Sequence, residues 1–400
     1  MIIGIPSEIK TGERRVAMSP VNVKSLTDKG IKVLFQANAG DASGYPDAEY
    51  EQAGATITTD RAEIFAAADI LLQVQSFGSN NDNSDGDLAS LRSGQVVIGM
   101  MDPLAMPSAA KAVAGTGATA IALELVPRIS RAQSMDVLSS MATLAGYKAV
   151  LMGASASPRI FPMLMTAAGT LKPARVLIMG VGVAGLQACA TAKRLGALVE
   201  AYDVRPAARE QIISVGAKPV ELDLDTGESE GAGGYAKAQG EDFLRRQREL
   251  MTAVIAEQDI IITTAAIPGA KSPILVTEDM VKAMKPGSVI VDLAAERGGN
   301  CDLTQQGKTI IAHGVTIIGP ENVPSELAYH ATQMYGKNLQ TLLELIIDGE
   351  GNLNLDFKDE IVAGTVVAHR GDVPHPHMRK LLGLPELAAS TDTIDVKKGA

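Results

Sequence analysis

The sequence has no tryptophan, two cysteines, five histidines and 3% aromatic residues among 400. Each shortage excludes something. Cys189 and Cys301 stand far apart without CxxC spacing, so a disulfide scaffold and a zinc site both lack support and a reducing cytoplasm fits. A net charge of −10 with no long lysine or arginine run leaves nothing to neutralise a phosphate backbone, which excludes nucleic acid as a partner. His375 and His377, split by Pro376, have no third ligand beside them and read as a loop feature, so no metal is expected. Met1-Ile2-Ile3-Gly4-Ile5 lacks the basic and apolar regions of an export signal. The most apolar stretches are broken by Asp102, Lys111, Lys148 or Arg159 before the roughly 18–20 residues of a membrane helix, so no span is expected.

What is abundant is small and aliphatic: 46% of residues are hydrophobic and 39 are glycine, a mix suited to buried parallel strands covered by helices. The length exceeds what one core usually fills, which favours two domains. Apolar runs at 2–5, 31–35, 70–74, 96–100 and 119–125 alternate with helical patterns, one after Ser19-Pro20 and one after Pro107. A mostly helical stretch over 139–168 precedes a second alternating series at 174–179, 199–202, 260–263, 289–292 and 316–318. The helical pattern of 325–347 should return the chain to the first domain. The fold class expected is α/β, with two doubly wound Rossmann-like domains of parallel strands, the first discontinuous. Residues 1–138 with 326–385 form the first and 139–325 the second; the Gly-rich acidic interval 221–240 reads as a mobile loop and 386–400 as a flexible tail.

Gly180-Val181-Gly182-Val183-Ala184-Gly185 follows a strand and opens a helical run, the context that makes a glycine triplet a dinucleotide fingerprint. The first glycine permits the turn, the second lets backbone approach a pyrophosphate, and the third lets helix and strand pack. The pyrophosphate would meet free N–H groups and the positive end of the helix dipole. Asp203 ends the next strand, 23 residues after Gly180, where an acid accepts from both ribose hydroxyls. This favours NAD over NADP: a 2′-phosphate about 4 Å away would be repelled by roughly 1 kcal/mol in water and about 4 at an effective dielectric of 20. Arg205 tempers that preference, since an arginine can hold the phosphate.

After Pro127 the chain reads Arg128-Ile129-Ser130-Arg131-Ala132-Gln133-Ser134-Met135-Asp136, dense in donors and acceptors. A glutamine complements a carboxamide ligand, and Arg128 and Asp136 are able to hold one another. An ordinary solvated connection explains the same spacing.

This loop, Met165-Thr166-Ala167-Ala168-Gly169-Thr170, the glycine turn, Ala232-Gly233-Gly234-Tyr235-Ala236-Lys237 and Asn322-Val323-Pro324-Ser325 resemble the NAD(H)-binding component of the proton-translocating transhydrogenases, over roughly residues 1–376. The resemblance implies that Arg128, Gln133, Asp136 and Ser139 place the nicotinamide, with Ile129, Ser130, Ser134 and Met135 beside them. It implies that Asp203, Val204 and Arg205 hold the adenosine end and that the Tyr235 loop closes over the nucleotide. Gly234, Gln247 and Ala266 fall at further cleft positions, beside Val181, Gly182, Val183 and Gly185. It also implies a homodimer, NADP(H) on a partner subunit, membrane-spanning partners that move protons, and a peripheral location on the cytoplasmic face of the inner membrane. The chain length matches a split form of the family.

Pro6, Glu8, Gly12-Glu13, Arg15-Val16-Ala17 and Pro20 resemble the alanine dehydrogenases equally, so the fold is common property. An amino-acid dehydrogenase moves a proton as well as a hydride and needs a titratable group at the substrate. Gln73 stands where those enzymes carry a Lys, and the 97–102 strand has no His; Ser7 replaces a Lys common to both families. Hydride passing between two nicotinamides needs no acid or base, only two rings held roughly 3–3.5 Å apart away from water. The competing readings are an alanine dehydrogenase and a redox-silent NAD-binding protein.

Overall fold

The computed structural model describes residues 1–80, 84–222 and 241–386. Its strands are β1 (Ile2–Ile5), β2 (Lys32–Gln36), β3 (Thr56–Thr58), β4 (Ile70–Gln75), β5 (Val96–Met100), β6 (Thr119–Ala122), β7 (Leu164–Thr166), β8 (Gly169–Leu171), β9 (Arg175–Met179), β10 (Leu198–Tyr202), β11 (Lys218–Pro219), β12 (Ile260–Thr263), β13 (Val289–Asp292), β14 (Lys308–Ala312), β15 (Val315–Gly319) and β16 (Val366–Ala368). They fall into two compact units, one of Met1–Met141 with the chain from Ser325 onward, the other of Ala142–Pro324.

The first unit holds a seven-stranded sheet ordered β16-β6-β5-β4-β1-β2-β3, parallel except for β16 against β6. Every residue of β4 is buried, as a central strand covered on both faces requires. Ile64, Phe65, Leu71, Val97, Val113 and Val367 are among the residues that fill one face. The helix Ala328–Ile346 belongs to this unit and buries Ala331, Tyr335, Leu339, Leu342 and Ile346, residues three or four apart along one stripe. Burial of each large aliphatic side chain stabilises the fold by roughly 1.5–3 kcal/mol.

The second unit holds a seven-stranded sheet ordered β11-β10-β9-β12-β13-β15-β14, parallel except for β14 against β15. Val176 and Ile178 face one core, Leu177 and Met179 the other, the two-residue alternation of a strand with helices on both sides. The architecture is the doubly wound α/β class, each sheet carrying one antiparallel edge strand. In each sheet the order reverses beside the first strand of its series, at β1/β4 and at β9/β12, and such reversals open a crevice at the strands' carboxyl ends.

Three expectations are corrected. The helix that begins at Val137 stops at Ala156 rather than near residue 168, because Pro158 and Pro162 cannot continue it. The chain then makes the β7–β8 hairpin, with Gly169 at φ 121°. Residues 123–125 form a 3-10 turn beyond β6. The helix Val137–Ala156 is also long and apolar enough, by length and composition, to cross a membrane, despite Lys148. Its composition has a packing cause: a Cβ on Gly146 would lie 2.0 Å from the Ala184 carbonyl oxygen and one on Gly153 would lie 3.0 Å from Ile260. The loop expected at 221–240 and the tail at 386–400 lie almost wholly outside the described residues.

Candidate dinucleotide site

The glycine turn sits at the carboxyl end of β9, beside the sheet's reversal. Gly180 adopts φ 92° and its N–H donates to the Tyr202 carbonyl at 2.9 Å. The Thr264 hydroxyl, just past β12, donates to the Gly180 carbonyl at 2.8 Å. A Cβ at Gly185 would lie 2.0 Å from that same carbonyl oxygen, so the helix Val183–Arg194 can approach β9 only with glycine there. A Cβ at Gly182 would meet nothing within 4 Å. Gly182 is the helix N-cap, with no side-chain hydrogen bond of its own, which leaves the first-turn N–H groups to a ligand. Steric need at 185 and open space at 182 are what a phosphate cradle requires.

Asp203 follows β10. Its carboxylate accepts from the Val181 N–H at 2.7 Å and from the Arg205 backbone, Nε and Nη2, each at 2.9 Å. Beside it lies a cavity of about 210 Å³ walled by Tyr202, Val204, Ile212, Pro219 and Val220. Gln247, buried on the helix Glu241–Ala256, donates to the Tyr202 hydroxyl at 2.9 Å. Ala266 continues from Ala265, which the side chain of Asn300 holds by both backbone groups: Ala265 N–H donates to Asn300 Oδ1 at 3.0 Å and Asn300 Nδ2 donates to the Ala265 carbonyl at 2.9 Å. Asn300 in turn donates its backbone N–H to buried Asp292 at 2.7 Å. Gly180, Val181, Gly182, Val183, Gly185, Asp203, Val204, Arg205, Gln247 and Ala266 thus all belong to the second unit, the turn, Asp203 and Ala266 at neighbouring strand ends. The Val181 side chain is buried, so only its backbone is available to a ligand. Gly234 and Tyr235 lie outside the described residues.

Arg128, Ile129, Ser130, Gln133, Ser134, Met135, Asp136 and Ser139 belong to the first unit. Ser130–Met135 form a 3-10 helix whose Ala132 and Met135 are buried anchors, while Ser130, Gln133 and Ser134 are open to solvent to differing degrees and Arg128 precedes them on the same loop. Met135 therefore offers backbone alone. Asp136 accepts from the Ser139 N–H at 2.9 Å and hydroxyl at 2.6 Å, capping the helix that follows. Arg131 forms a two-pronged pair with Asp359, both contacts at 2.8 Å, which fixes the loop's outer edge.

Sequence reasoning missed several residues. Asn300 and Thr264 have no local pattern that marks them; only the folded register brings them to the turn. Gln73 proves to be a structural link, donating to Asp87 at 3.2 Å and accepting from the Ser76 hydroxyl at 3.1 Å, while Asp87 pairs with Arg61. The Ser7 backbone carbonyl accepts from Arg61 Nη1 at 2.7 Å, so that segment is held whatever its side chain. Two carboxyls of the first unit titrate near neutrality, a capacity that the absence of Lys and His at the 73 and 97–102 positions does not reveal. Burial, then the charge of Glu13, pushes Glu8 up to about 8, and burial pushes Glu124 up to about 7. Both have backbone partners: Glu8 accepts from Val74 and Gln75, Glu124 from Met101 and Asp102. Glu13 is closed by Arg15 in a buried ion pair. His375 accepts from the Met378 N–H as a helix cap.

Family models for the alanine dehydrogenase/PNT N-terminal and C-terminal domains match residues 4–145 and 149–376. The chain is 47% identical over 378 residues to an NAD(P) transhydrogenase subunit alpha chain of Rhodospirillum rubrum, covering 94% of this chain and 98% of that protein. The crystal structure of transhydrogenase from Sinorhizobium meliloti superposes with a TM-score of 0.81 at 45% identity, over 94% of this chain and 100% of that one. A solved L-alanine dehydrogenase superposes at 0.78 with 24% identity, over 96% and 99%, a likeness of fold alone. Doubly wound sheets, a glycine turn at the reversal and an acid on the next strand define a dinucleotide-fold oxidoreductase component. The chain belongs to the NAD(P) transhydrogenase subunit alpha family within the alanine dehydrogenase/PNT class.

Proposed function

We propose that the chain is the NAD(H)-binding component of a proton-translocating transhydrogenase, presenting NADH for direct hydride transfer to NADP⁺ held on a partner subunit. The observation that carries this reading is the 180–185 turn at the β9/β12 reversal, closed at Gly185, open at Gly182 and followed by Asp203. The dinucleotide supplies the hydride. The chain's own residues bind and orient: the helix N-terminus at Gly182 receives the pyrophosphate, Asp203 the ribose, and the cavity beside Tyr202 and Val204 the base. The loop residues Arg128, Gln133, Asp136 and Ser139 orient the nicotinamide carboxamide, with no proton moved. Arg131–Asp359 and the Asp136–Ser139 cap keep that loop in shape. Membrane-spanning partners supply the coupling to protons and place the chain at the cytoplasmic face of the inner membrane.

A homodimer is part of the proposal. The β7–β8 hairpin and the residue before it expose Met163, Leu164, Met165 and Leu171, with Met165 at 81%, an apolar arm that a second copy can cover. Sedimentation of Met165→Glu tests it: a sharply weaker dimer is expected, and an unchanged one removes the hairpin from the interface.

The test of function is transfer from NADH to an NADP analogue after mixing the chain with an NADP-binding partner. Absence of transfer with bound NADH would favour a redox-silent binder. NAD reduction by the purified chain with L-alanine would make it a dehydrogenase, the reading that the raised pKa of Glu8 and Glu124 keeps in view.

A further inference from the structure

Asp203, the residue on which nucleotide choice turns, has a carboxylate that is already full. Oδ1 accepts from the Arg205 backbone N–H and Nε; Oδ2 accepts from the Val181 N–H and Arg205 Nη2. An ionised carboxylate has about four acceptor directions, so none is left for a ribose hydroxyl. Two of the four donors are backbone, fixed by the glycine turn and the end of β10. The other two belong to one side chain. Arg205 Nη2 also donates to the Val181 carbonyl at 3.0 Å, so the guanidinium lies against the turn itself, with 14% of the Arg205 side chain exposed and 7% of Asp203.

We propose that Arg205 is a latch on the adenosine-ribose site. Its guanidinium holds the two acceptor positions that the ribose diol takes, and NAD(H) enters by displacing it. The inference rests on the reading of Asp203 as ribose acceptor. The exchange balances: withdrawal of one two-pronged donor frees one direction on each carboxylate oxygen, and a cis-diol brings two O–H donors to fill them. Both backbone bonds to Asp203 persist.

The latch also sets specificity. A 2′-phosphate is attracted by a guanidinium, but to offer one the chain must strip it from Asp203 and leave a bare carboxylate beside the phosphate. An arginine tied to Asp203 therefore does not serve NADP(H). The expected sign for Arg205 is opposite to that of an arginine that holds the nucleotide.

Titration of the full chain with NADH and with NADPH tests this in the wild type, Arg205→Met, Arg205→Lys and Asp203→Asn, with circular dichroism to establish that each is folded. Arg205→Met should bind NADH on the order of fivefold more tightly, the scale of an ion pair that binding no longer has to break, and should still reject NADPH. Arg205→Lys, a point charge without the fork, should fall between wild type and Met. Asp203→Asn should weaken NADH and gain NADPH, because Arg205 is released to the phosphate. Weaker or unchanged NADH binding in Arg205→Met would overturn the latch and make Arg205 a ligand or a bystander. A wild type that fails to bind NADH would instead overturn the parent reading of Asp203, whatever the variants do.

Discussion

The Asn338 side chain donates to the Ser134 carbonyl at 2.8 Å, joining the helix Ala328–Ile346 to the polar loop 204 residues earlier in sequence. The bond is mostly buried, and Asn338 Oδ1 has no hydrogen-bond partner among the described residues. The helix therefore sets the position of a loop whose own anchors are Ala132 and Met135.

Replacement of Asn338 by Leu leaves the Ser134 carbonyl without that donor and should cost about 1–3 kcal/mol of stability. If the loop orients the nicotinamide, the variant should lose hydride-transfer kcat more than NADH affinity. Unfolding curves together with the reconstituted transfer assay decide this. A fall in stability with kcat and affinity both unchanged would confine Asn338 to structure.

The two inner glycines of the fingerprint predict opposite phenotypes. Gly185→Ala drives a Cβ to 2.0 Å from the Gly180 carbonyl, a backbone clash that must push the helix off β9, costing about 1–3 kcal/mol or more. Gly182→Ala has open space and an ordinary φ of −77°, so its stability should stay within about 0.5 kcal/mol of wild type. Yet its methyl occupies the space a pyrophosphate needs, and NADH affinity should fall by about tenfold or more. Thermal melts and NADH titrations separate the two. Undiminished binding in Gly182→Ala would remove the phosphate from this turn.

Much of this was legible in the sequence because it is local. Strand runs flanked by turn signals put β4, β5, β12 and β13 within a residue or so of where they lie, and the spacing from Gly180 to Asp203 follows from one βαβ unit. Less legible were short or edge strands: β3 and β16 are three residues each, and β14 has Lys308, Thr309 and Ile311 exposed, so no alternation marks them. Pro158 and Pro162 gave the end of the long helix in principle, but the apolar run through Met163–Met165 masked it. The filled carboxylate of Asp203, the Asn300 clamp and the Gln73–Asp87 link are register effects that no linear pattern encodes.

Asn300 should behave as a positioning residue for the turn after β12. Its side chain also donates to the Pro273 carbonyl at 2.8 Å, so one carboxamide satisfies three backbone groups. Asn300→Asp keeps the acceptor for Ala265 N–H but sets carboxylate oxygens against two carbonyls. It should destabilise by about 2 kcal/mol or more and weaken NADH binding, less at acidic pH where the acid protonates and donates again. Titrations at about pH 5 and about pH 8 test this, and an affinity deficit that does not shrink on acidification would sink it.

The last prediction concerns pH and the first unit. Glu8 and Glu124, each near 4.5 in the unfolded chain, stand at about 8 and about 7 in the fold, raised first by burial, with Glu13 adding to Glu8 and Asp102 to Glu124. Arg15 faces Glu8 and opposes the shift, while Tyr335 faces both carboxyls and is itself held well above its usual range. Between about pH 4.5 and pH 8 the folded chain therefore holds protons that the unfolded chain has released. These groups contribute full stability below about pH 4.5 and lose it as pH rises, at up to roughly 1.4 kcal/mol per pH unit for each, levelling above about pH 8. Carboxylates shifted the other way, such as Asp359 beside Arg131 and Asp372 beside Arg379, lose their contribution only in stronger acid. Urea denaturation should accordingly show stability declining from about pH 5 to about pH 8. Glu8→Gln should flatten that decline while lowering stability at the acidic end, because a carboxamide cannot accept from both Val74 and Gln75. A wild-type curve that rises across this range, or a Gln variant with the same slope, would show that Glu8 is ionised in the fold and that the Arg15 charge outweighs its burial.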